Sequence, residues 1–315
     1  MTSRSASSRS TPSAALRSSN RTCIVAASIA LAAVVASCGS DSTAPVDPLA
    51  KVPSFIYVSN ASGGTQLYTW RNGVSTLFPG SIAGDVEPQS ASGKVVFTSF
   101  RISAANPEIF IANLDGSNAI RLTNDSHTDH QPSLSPDGST VVWASTRSGV
   151  SRIWTMGSDG SNPSAFNTGS GTDIPESAPR FSPGGGRILF SSPRTNTTQI
   201  WIQPTNGDSA TQVTHDANGA FFGSWAPDGN SIYFVDGADR TKIHNVVIAS
   251  GVVTDYVTGG TDVGDQSCTN QACLVVTGAT GLNRDIYAYI GAGDTAPLAI
   301  LITSNAEYEP SVLLP

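Results

Sequence analysis

The sequence has no long apolar segment with helical periodicity after residue 52. Charged residues are also scarce, at 13% of the chain, whereas glycine, serine and threonine are abundant. Packed helices need an apolar stripe with a 3.6-residue period, so we expect no helix of consequence in this region. The composition suits one all-β domain over residues 53–315 better than two domains.

Basic residues are in deficit, with 17 Lys and Arg against 24 Asp and Glu and a net charge of −7. Four of the arginines lie before residue 38, in a stretch without acids, so removal of residues 1–37 would leave 13 basic residues and a net charge of −11. Such a surface repels phosphates. The charge balance therefore disfavours nucleic acid and anionic lipid headgroups as partners.

The sequence also lacks Gly-x-Ser-x-Gly, His-Glu-x-x-His and a phosphate-binding glycine loop followed by a helix. These motifs mark common nucleophiles, zinc sites and nucleotide sites. Acid pairs are present, but a sequence does not show whether two carboxylates face one another. The motifs therefore give no support for catalysis and favour a binding function.

Residues 1–37 have the order of an export signal, with a basic leader followed by the apolar run 23–37, which is short for a bilayer span. The run ends in Val-Ala-Ser before Cys38, which resembles the lipobox of bacterial lipoproteins. This resemblance implies acylation of Cys38, a flexible tether over residues 38–52 and a lipid anchor in the bacterial cell envelope, on a leaflet facing the periplasm or the cell surface. The alternative is an ordinary cleaved signal followed by an unrelated cysteine.

Residues 108–147 contain four short segments predicted as strands, 108–112, 119–123, 132–134 and 141–145, separated by turn residues, with Asp-Gly pairs in both tight turns. The threonines that end the second of these strands recur at intervals of 45, 46, 44 and 45 residues: Thr123, Thr168, Thr214, Thr258 and Thr303. The residue aligned with Pro132, in the strand that opens each copy, recurs as Pro88, Pro179, Gly223, Asp265 and Pro310. Six copies result, and the first copy lacks an opening strand before its second strand.

Three of the copies carry similar turn sequences: Pro-Ser-Leu-Ser-Pro-Asp-Gly at 132–138, Pro-Arg-Phe-Ser-Pro-Gly-Gly at 179–185 and Ser-Trp-Ala-Pro-Asp-Gly at 224–229. They resemble the WD40-like repeats of TolB-type β-propellers, over roughly residues 53–315. With six copies, the resemblance implies a six-bladed β-propeller of four-stranded antiparallel blades. Propellers of this type serve as binding platforms and as enzyme scaffolds, so the resemblance indicates fold more than function.

The two ends of the repeat array complete each other. The last copy ends with residues 309–314, which have the form of an opening strand with no further strand after it. We expect this C-terminal strand to close the ring beside Phe55–Ser59. The third strand of each copy carries an aliphatic–aromatic pair such as Ile109 and Phe110, which should present one side chain to each neighbouring blade.

Two cysteines, Cys268 and Cys273, stand where a copy should have its Ser-Pro-Asp-Gly turn. The four residues between them form a hairpin loop that brings facing cysteines within reach of each other. In an exported chain whose Cys38 is acylated, this pair is predicted to form a disulfide.

A weak metal candidate is formed by His127, Asp129 and His130, because two imidazoles and a carboxylate are suitable ligands for a divalent cation. The cluster lies in a polar loop, and Asp129 also belongs to a pattern shared by the copies. No cofactor is expected apart from such a cation.

The shared pattern is an acid three residues before the position that Pro132 occupies in the opening strand of its copy. Five of the six copies have it: Asp85, Asp129, Glu176, Asp262 and Glu307. Opening strands line the central channel of a propeller, so these carboxylates should ring one mouth of the channel. Arginines recur in the loops after the second strands: Arg101, Arg147, Arg194, Arg240 and Arg284. The acids either cap loops and pair with arginines or bind a basic peptide or a cation.

Three functions fit these features. The first is a monomeric, non-catalytic propeller, tethered by lipid, that binds an envelope protein or peptide at the acidic channel mouth. The second is an envelope enzyme acting on carbohydrate, similar to propeller polysaccharide lyases, with His127, Asp129 and His130 holding a metal. The third is a structural assembly scaffold.

The export segment gives the first testable prediction. Because Cys38 follows a basic leader and an apolar run, it should carry fatty acid and retain the protein in the membrane fraction. Cys38→Ala should abolish fatty-acid labelling and either release the protein or leave the precursor uncleaved. Wild-type protein that takes up no labelled fatty acid would rule out the lipid anchor.

Overall fold

The computed structural model describes residues 47–171, 173–258, 262–269, 272–277, 284–290, 298–303 and 305–313. A short 3-10 turn covers Pro48–Lys51, and everything after it that forms regular structure is strand. Among the described residues, no helix has the length and hydrophobicity needed to cross a bilayer. The expected all-β class is confirmed.

The strands are numbered in chain order. The first twelve are β1 Phe55–Ser59, β2 Gln66–Arg71, β3 Val74–Leu77, β4 Asp85–Ala91, β5 Lys94–Ser99, β6 Glu108–Asn113, β7 Ile120–Arg121, β8 Asp129–Leu134, β9 Thr140–Ser145, β10 Arg152–Gly157, β11 Ser164–Ala165 and β12 Ser177–Phe181. The next twelve are β13 Arg187–Thr195, β14 Thr197–Pro204, β15 Thr211–Gln212, β16 Ala220–Trp225, β17 Ser231–Asp236, β18 Ile243–Val247, β19 Val253–Val257, β20 Val263–Cys268, β21 Cys273–Thr277, β22 Asp285–Tyr289, β23 Leu298–Leu301 and β24 Glu307–Val312.

These strands form six antiparallel sheets of four strands each. The first blade has the strand order β24-β1-β2-β3, and the second to sixth blades each take four consecutive strands, from β4–β7 to β20–β23. The opening strands of successive sheets contact one another around a closed ring, β4 to β8, β12, β16, β20, β24 and back to β4. The molecule is a six-bladed propeller, and the predicted closure by the C-terminal strand is confirmed.

Tight turns join the first and second strands and the third and fourth strands of the blades, on what we name the turn face. Gly138 and Gly116 of the repeat unit have φ angles of +72° and +80°. A Cβ atom at Gly116 would lie 2.2 Å from the carbonyl oxygen of Pro79, and one at Gly138 would lie 2.8 Å from Cβ of Ser92. Glycine is required at both positions by the backbone and by the neighbouring blade.

The core consists of six apolar layers, one between each pair of neighbouring blades. In the second blade, Ile109 packs in the layer toward the third blade, with Val141 and Trp143, whereas Phe110 packs in the layer toward the first, with Ile56 and Leu67. The last layer joins Val312 of β24 and Phe55 of β1 to Leu274 and Ile286 of the sixth blade. The prediction that each aliphatic–aromatic pair serves both neighbours is confirmed.

The opening strands are longer than the turn residues indicated. In the third blade the strand begins at Asp129, three residues before the predicted start at Pro132, and its pairing register shifts between His130 and Ser133. The proline, which has no N–H to donate to the ladder, lies within this β-bulge. Every opening strand has such a shift, including those of the fifth and sixth blades, which have no proline there. Three of the fourth strands, β7, β11 and β15, have only two residues, and β7 covers Ile120–Arg121 of the predicted 119–123.

The closure generates a prediction about unfolding. Deletion of residues 307–315 removes β24 and uncovers Phe55 and Ile56 of β1, both 0% exposed in the intact protein. The truncated chain should lose the cooperative unfolding transition seen by circular dichroism, because one blade loses its channel strand and two layers lose part of their cover. Deletion of residues 314–315 alone is the control and should leave the transition unchanged. A chain without β24 that unfolds like the parent would contradict this role of the strand.

Candidate functional site

The opening strands begin, and the second strands end, on the face opposite the turns, which we name the loop face. Antiparallel pairing sets the first residue of each opening strand against the last residue of the second strand. Asp85 lies opposite Ser99, Asp129 opposite Ser145 and Glu307 opposite Ser59. Loop residues two positions further along therefore lie close to the carboxylates.

In three blades an arginine from this loop binds the acid directly. Arg101 Nη2 lies 2.6 Å from Asp85 Oδ2. Arg147 Nη2 lies 2.7 Å from Asp129 Oδ2. In the fourth blade the distance from Arg194 Nη2 to Glu176 Oε1 is 2.6 Å. The three carboxylate side chains are 0% exposed, so these are buried ion pairs.

The guanidinium of each of these arginines also packs against two aromatic rings, one from the second strand and one from the third. The Arg147 guanidinium is 5.2 Å from the ring centre of Trp143 and 5.1 Å from that of Trp154. Arg101 has Phe97 and Phe110 as neighbours, and Arg194 has Phe190 and Trp201. Acid, arginine and ring pair form one unit, which we name the clamp. Cation–π contact adds to the charge pairing and ties three strands together.

The clamp determines what the predicted site residues do. Additional donors complete the coordination of the carboxylates: Trp143 Nε1 donates to Asp129 at 2.9 Å, and Ser81 and Ile82 donate to Asp85 at 3.0 and 2.9 Å. Asp85, Asp129 and Glu176 thus hold loops in place, as the loop-capping and arginine-pairing interpretation predicts. Ligand binding by these acids stays a prediction.

The fifth and sixth blades depart from the pattern. The opening strand of the fifth blade begins with Ala220, so Arg240 has no acid in its own blade and binds Asp262, at 2.8 Å. The side chains of this pair are 47% and 36% exposed. Strand register sets Val263, and not Asp262, at the position of Asp85, because Val263 lies opposite Thr277. Asp262 is therefore the accessible acid of the predicted five.

In the first blade the acid has no arginine, because Ala61 occupies the position two residues after Ser59. Glu307 is 2% exposed and accepts hydrogen bonds from Ser59 at 3.3 Å and from Thr303 at 2.7 Å. Its Oε2 atom has no hydrogen-bond partner among the described residues. Burial raises the pKa of Glu307 to about 7, although the two hydrogen bonds oppose the increase.

The metal candidates are not brought together. Asp129 is occupied by Arg147 and Trp143, and Nδ1 of His127 lies 3.0 Å from Asp125 instead. His130 follows Asp129 in β8, and successive strand residues point to opposite sides. Within the described ranges, no group of three or more His, Cys, Asp or Glu side chains is arranged to hold a metal ion.

The predicted disulfide is present. Cys268 and Cys273 face each other at the hairpin between β20 and β21, and their sulfurs are bonded. The bond lies on the turn face, where the third, fourth and fifth blades have Pro-Asp-Gly or Pro-Gly-Gly turns.

A second ring, which the sequence interpretation missed, lies further down the channel at the bulges. Glu309 Oε2 accepts from the backbone N–H of Glu87 at 2.6 Å, and Glu87 Oε2 accepts from that of Gln131 at 2.6 Å. Gln131 Oε1 accepts from that of Ala178 at 2.8 Å. These bonds join the bulges of the first four blades in succession. The available signal was a Glu or Gln directly before the proline in three copies.

This part of the channel is a cavity of about 810 Å³ that contains unlike charges. Arg180 lines it with Glu87, Asp265 and Glu309. Burial lowers the pKa of the Arg180 guanidinium, and the three carboxylates oppose that shift. Burial raises the pKa of Asp265, and burial together with the charges of Glu87 and Asp265 raises that of Glu309 to about 8. These groups contact channel water but lie deep enough to be poorly solvated.

Comparison of a buried and an exposed acid tests the clamp. Asp85→Asn should lower the free energy of unfolding by about 3 kcal/mol, because Asp85 is 0% exposed and its loss leaves Arg101 without its charge partner among the described residues. Asp262→Asn, at the exposed pair, should cost about 0–1 kcal/mol. Urea unfolding of both variants measures the difference. Equal effects would show that the buried clamp does not stabilise the blade as described.

Glu307, the acid that has no arginine partner, should make the free energy of unfolding depend on pH. Its pKa rises from 4.5 to about 7 on folding, so the folded state binds more protons than the unfolded state between these values. The contribution of Glu307 to stability therefore decreases as pH rises through this interval and levels off above it. Glu307→Gln should remove this component from melting curves. Ala61→Arg should reduce it by supplying the cation that the other clamps have, and a slope that both variants leave unaltered would exclude Glu307 as its source.

Comparisons with known proteins agree with the fold. No protein-family model matches the sequence. The structure is similar to that of TolB from Acinetobacter baumannii, with a TM-score of 0.69 and 19% identity, covering 84% of this chain and 67% of that one. It is also similar to a chain of a nidogen/laminin complex, with a TM-score of 0.61 and 14% identity, covering 82% and 97%.

A puromycin hydrolase matches with a TM-score of 0.55 and 15% identity, covering 79% of this chain and 45% of that one. At these identities the similarities concern the fold. The expected architecture and the solved structures agree, and the chain is a six-bladed β-propeller with a TolB-like fold.

Proposed function

We propose that this chain is a non-catalytic, lipid-anchored propeller of the bacterial cell envelope that binds a protein or peptide on its loop face, over the mouth of the channel. The observation that carries the proposal is the exposure of large apolar side chains on this face. Ile82, Phe100, Ile102 and Ile302 are 45%, 38%, 59% and 54% exposed. Exposed apolar side chains gathered on one face are typical of protein-binding surfaces.

The clamp of the second blade supports this surface. Asp85 accepts hydrogen bonds from the N–H of Ile82 and from Arg101, which is next to Phe100. The N–H of Phe100 donates to the carbonyl of Gly84 at 2.8 Å, joining the two loops. Two apolar side chains are therefore presented by loops that are fixed before binding, which lowers the entropy lost on association.

The lipid anchor fits the same orientation. Leu49 lies near Gly73, in the turn between β2 and β3, so the chain joins the propeller on the turn face. A tether from Cys38 would thus join the propeller on the side opposite the loop face and leave that face free for a partner. The similarity in fold to TolB and to the nidogen/laminin chain is compatible with protein binding, and TolB suggests an envelope setting.

Site-directed photocrosslinking tests the proposal. The photoreactive residue p-benzoylphenylalanine is placed at Ile102, on the loop face, and in a matched control at Val252, which is 53% exposed in the turn between β18 and β19 on the turn face. Irradiation of cells should give an adduct at a discrete mass from position 102 and none from position 252. Adducts from position 252 alone, or from neither position, would exclude the loop face as the docking surface.

A further inference from the structure

The channel contains a cation that makes no direct ion pair among the described residues, although three carboxylates line the same cavity. Arg180 of β12 donates a hydrogen bond from Nη1 to the carbonyl of Pro179 at 3.0 Å, and it makes no ion pair with any described residue. Glu87 and Glu309 line the same cavity, but one oxygen of each accepts the backbone N–H of a neighbouring bulge. They build the wall, and the guanidinium is left with free donors facing the cavity.

An anion without a cationic partner lies on another part of the wall. The carboxylate of Asp265, in β20, has neither a hydrogen bond nor an ion pair among the described residues, although it lines the cavity. The adjacent Gln266 is only 8% exposed, and its Oε1 atom has no partner in the described part of the chain. Its Nε2 atom donates to the carbonyl of Phe222. This wall therefore offers acceptors, whereas the Arg180 wall offers donors.

The fifth blade lies between these two walls and contributes an aromatic ring. Phe222 occupies the bulge with a φ of +54° and is 36% exposed, and its neighbour Phe221 also lines the cavity. A similar φ recurs at Glu87, Gln131, Ala178 and Glu309, so it belongs to the bulge, and the fifth blade differs in placing an aromatic side chain there. Polar Glu and Gln residues fill the equivalent place in the first three blades. The side chains of these Glu and Gln residues accept a hydrogen bond from the backbone of the next blade, whereas Phe222 presents an apolar surface.

We propose that the channel binds a small zwitterion of the α-amino-acid class, with its carboxylate on Arg180, its ammonium on Asp265 and Gln266, and its side chain against Phe222. Unpaired charges at low solvation cost free energy, and a ligand with both charges satisfies both walls at once. A cavity of about 810 Å³ has room for such a molecule and water. This site is separate from protein binding on the loop face, and either can exist without the other.

Isothermal titration calorimetry of the wild-type protein with free amino acids tests the proposal. At least one apolar or aromatic amino acid should bind. Its N-acetyl and its carboxamide derivatives each lack one charge, so their affinity should be lower by a factor of at least about ten. The same ligand should raise the melting temperature, and the increase should continue with the logarithm of the ligand concentration above the Kd. Because these comparisons use the intact wild type, they do not depend on a variant that folds.

Variants then identify the walls. Arg180→Gln and Asp265→Asn should each weaken binding about tenfold, and Arg71→Gln, at an exposed arginine outside the channel, should not. Absence of binding by every free amino acid would overturn the proposal, as would equal affinity for the derivatives. Binding of terminally blocked peptides without binding of free amino acids would also overturn it, while leaving the loop-face function standing.

Discussion

The loop face depends on a buried carboxylate that binds an arginine packed against two aromatic rings. In the second and third blades this clamp joins the first residue of the opening strand, and in the fourth blade the residue directly before it, to the loop after the second strand and to a ring on the third. Removing the acid of the second blade leaves Arg101 without a charge partner among the described residues, which costs more than the pair itself contributes. The acids are thus fixed by their role in architecture, and the loops they support are free to vary in sequence.

Much of the fold could be predicted from the sequence because the same residue pattern occurs in six copies. Turn glycines, aliphatic–aromatic pairs and the unpaired opening strand at the end each follow from local backbone chemistry. The site was harder to predict, because Asp129 and Asp262 look alike in the repeat while one is buried and the other exposed. The bulges shift the register within the opening strands, so Asp262 was aligned one residue away from its structural equivalent, Val263. Hydrogen bonds between blades, such as that from Gln131 to Glu87, join residues 44 positions apart and leave no local signal.

Loss of symmetry is concentrated in the fifth and sixth blades. Ala220 replaces an acid, and Phe222 replaces a polar bulge residue. Arg240 binds Asp262 of the neighbouring blade and lies 5.5 Å from the ring of Phe222 in its own blade. Glu87, Gln131 and Glu309 satisfy backbone groups of the next blade, whereas Ala178 and Phe222 have no side-chain acceptor to continue the ring. On one side of the channel the polar groups of the wall are therefore paired with one another. On the other side they are open to the ligand that we propose. Departures from a repeat are more informative about binding than the repeat itself.

The pairing of β24 with β1 brings together residues separated by about 250 positions in the chain, as with Ser59 and Glu307. Contacts so distant in sequence lower folding rates, because the chain must close a long loop before it gains the contact. The five blades made of consecutive strands can form as soon as their own residues are free, but the first blade must wait for the last strand. During that interval the edge of β1 is open to pairing with other chains. The time to final closure, rather than the stability of the finished ring, sets how long the protein is exposed to aggregation.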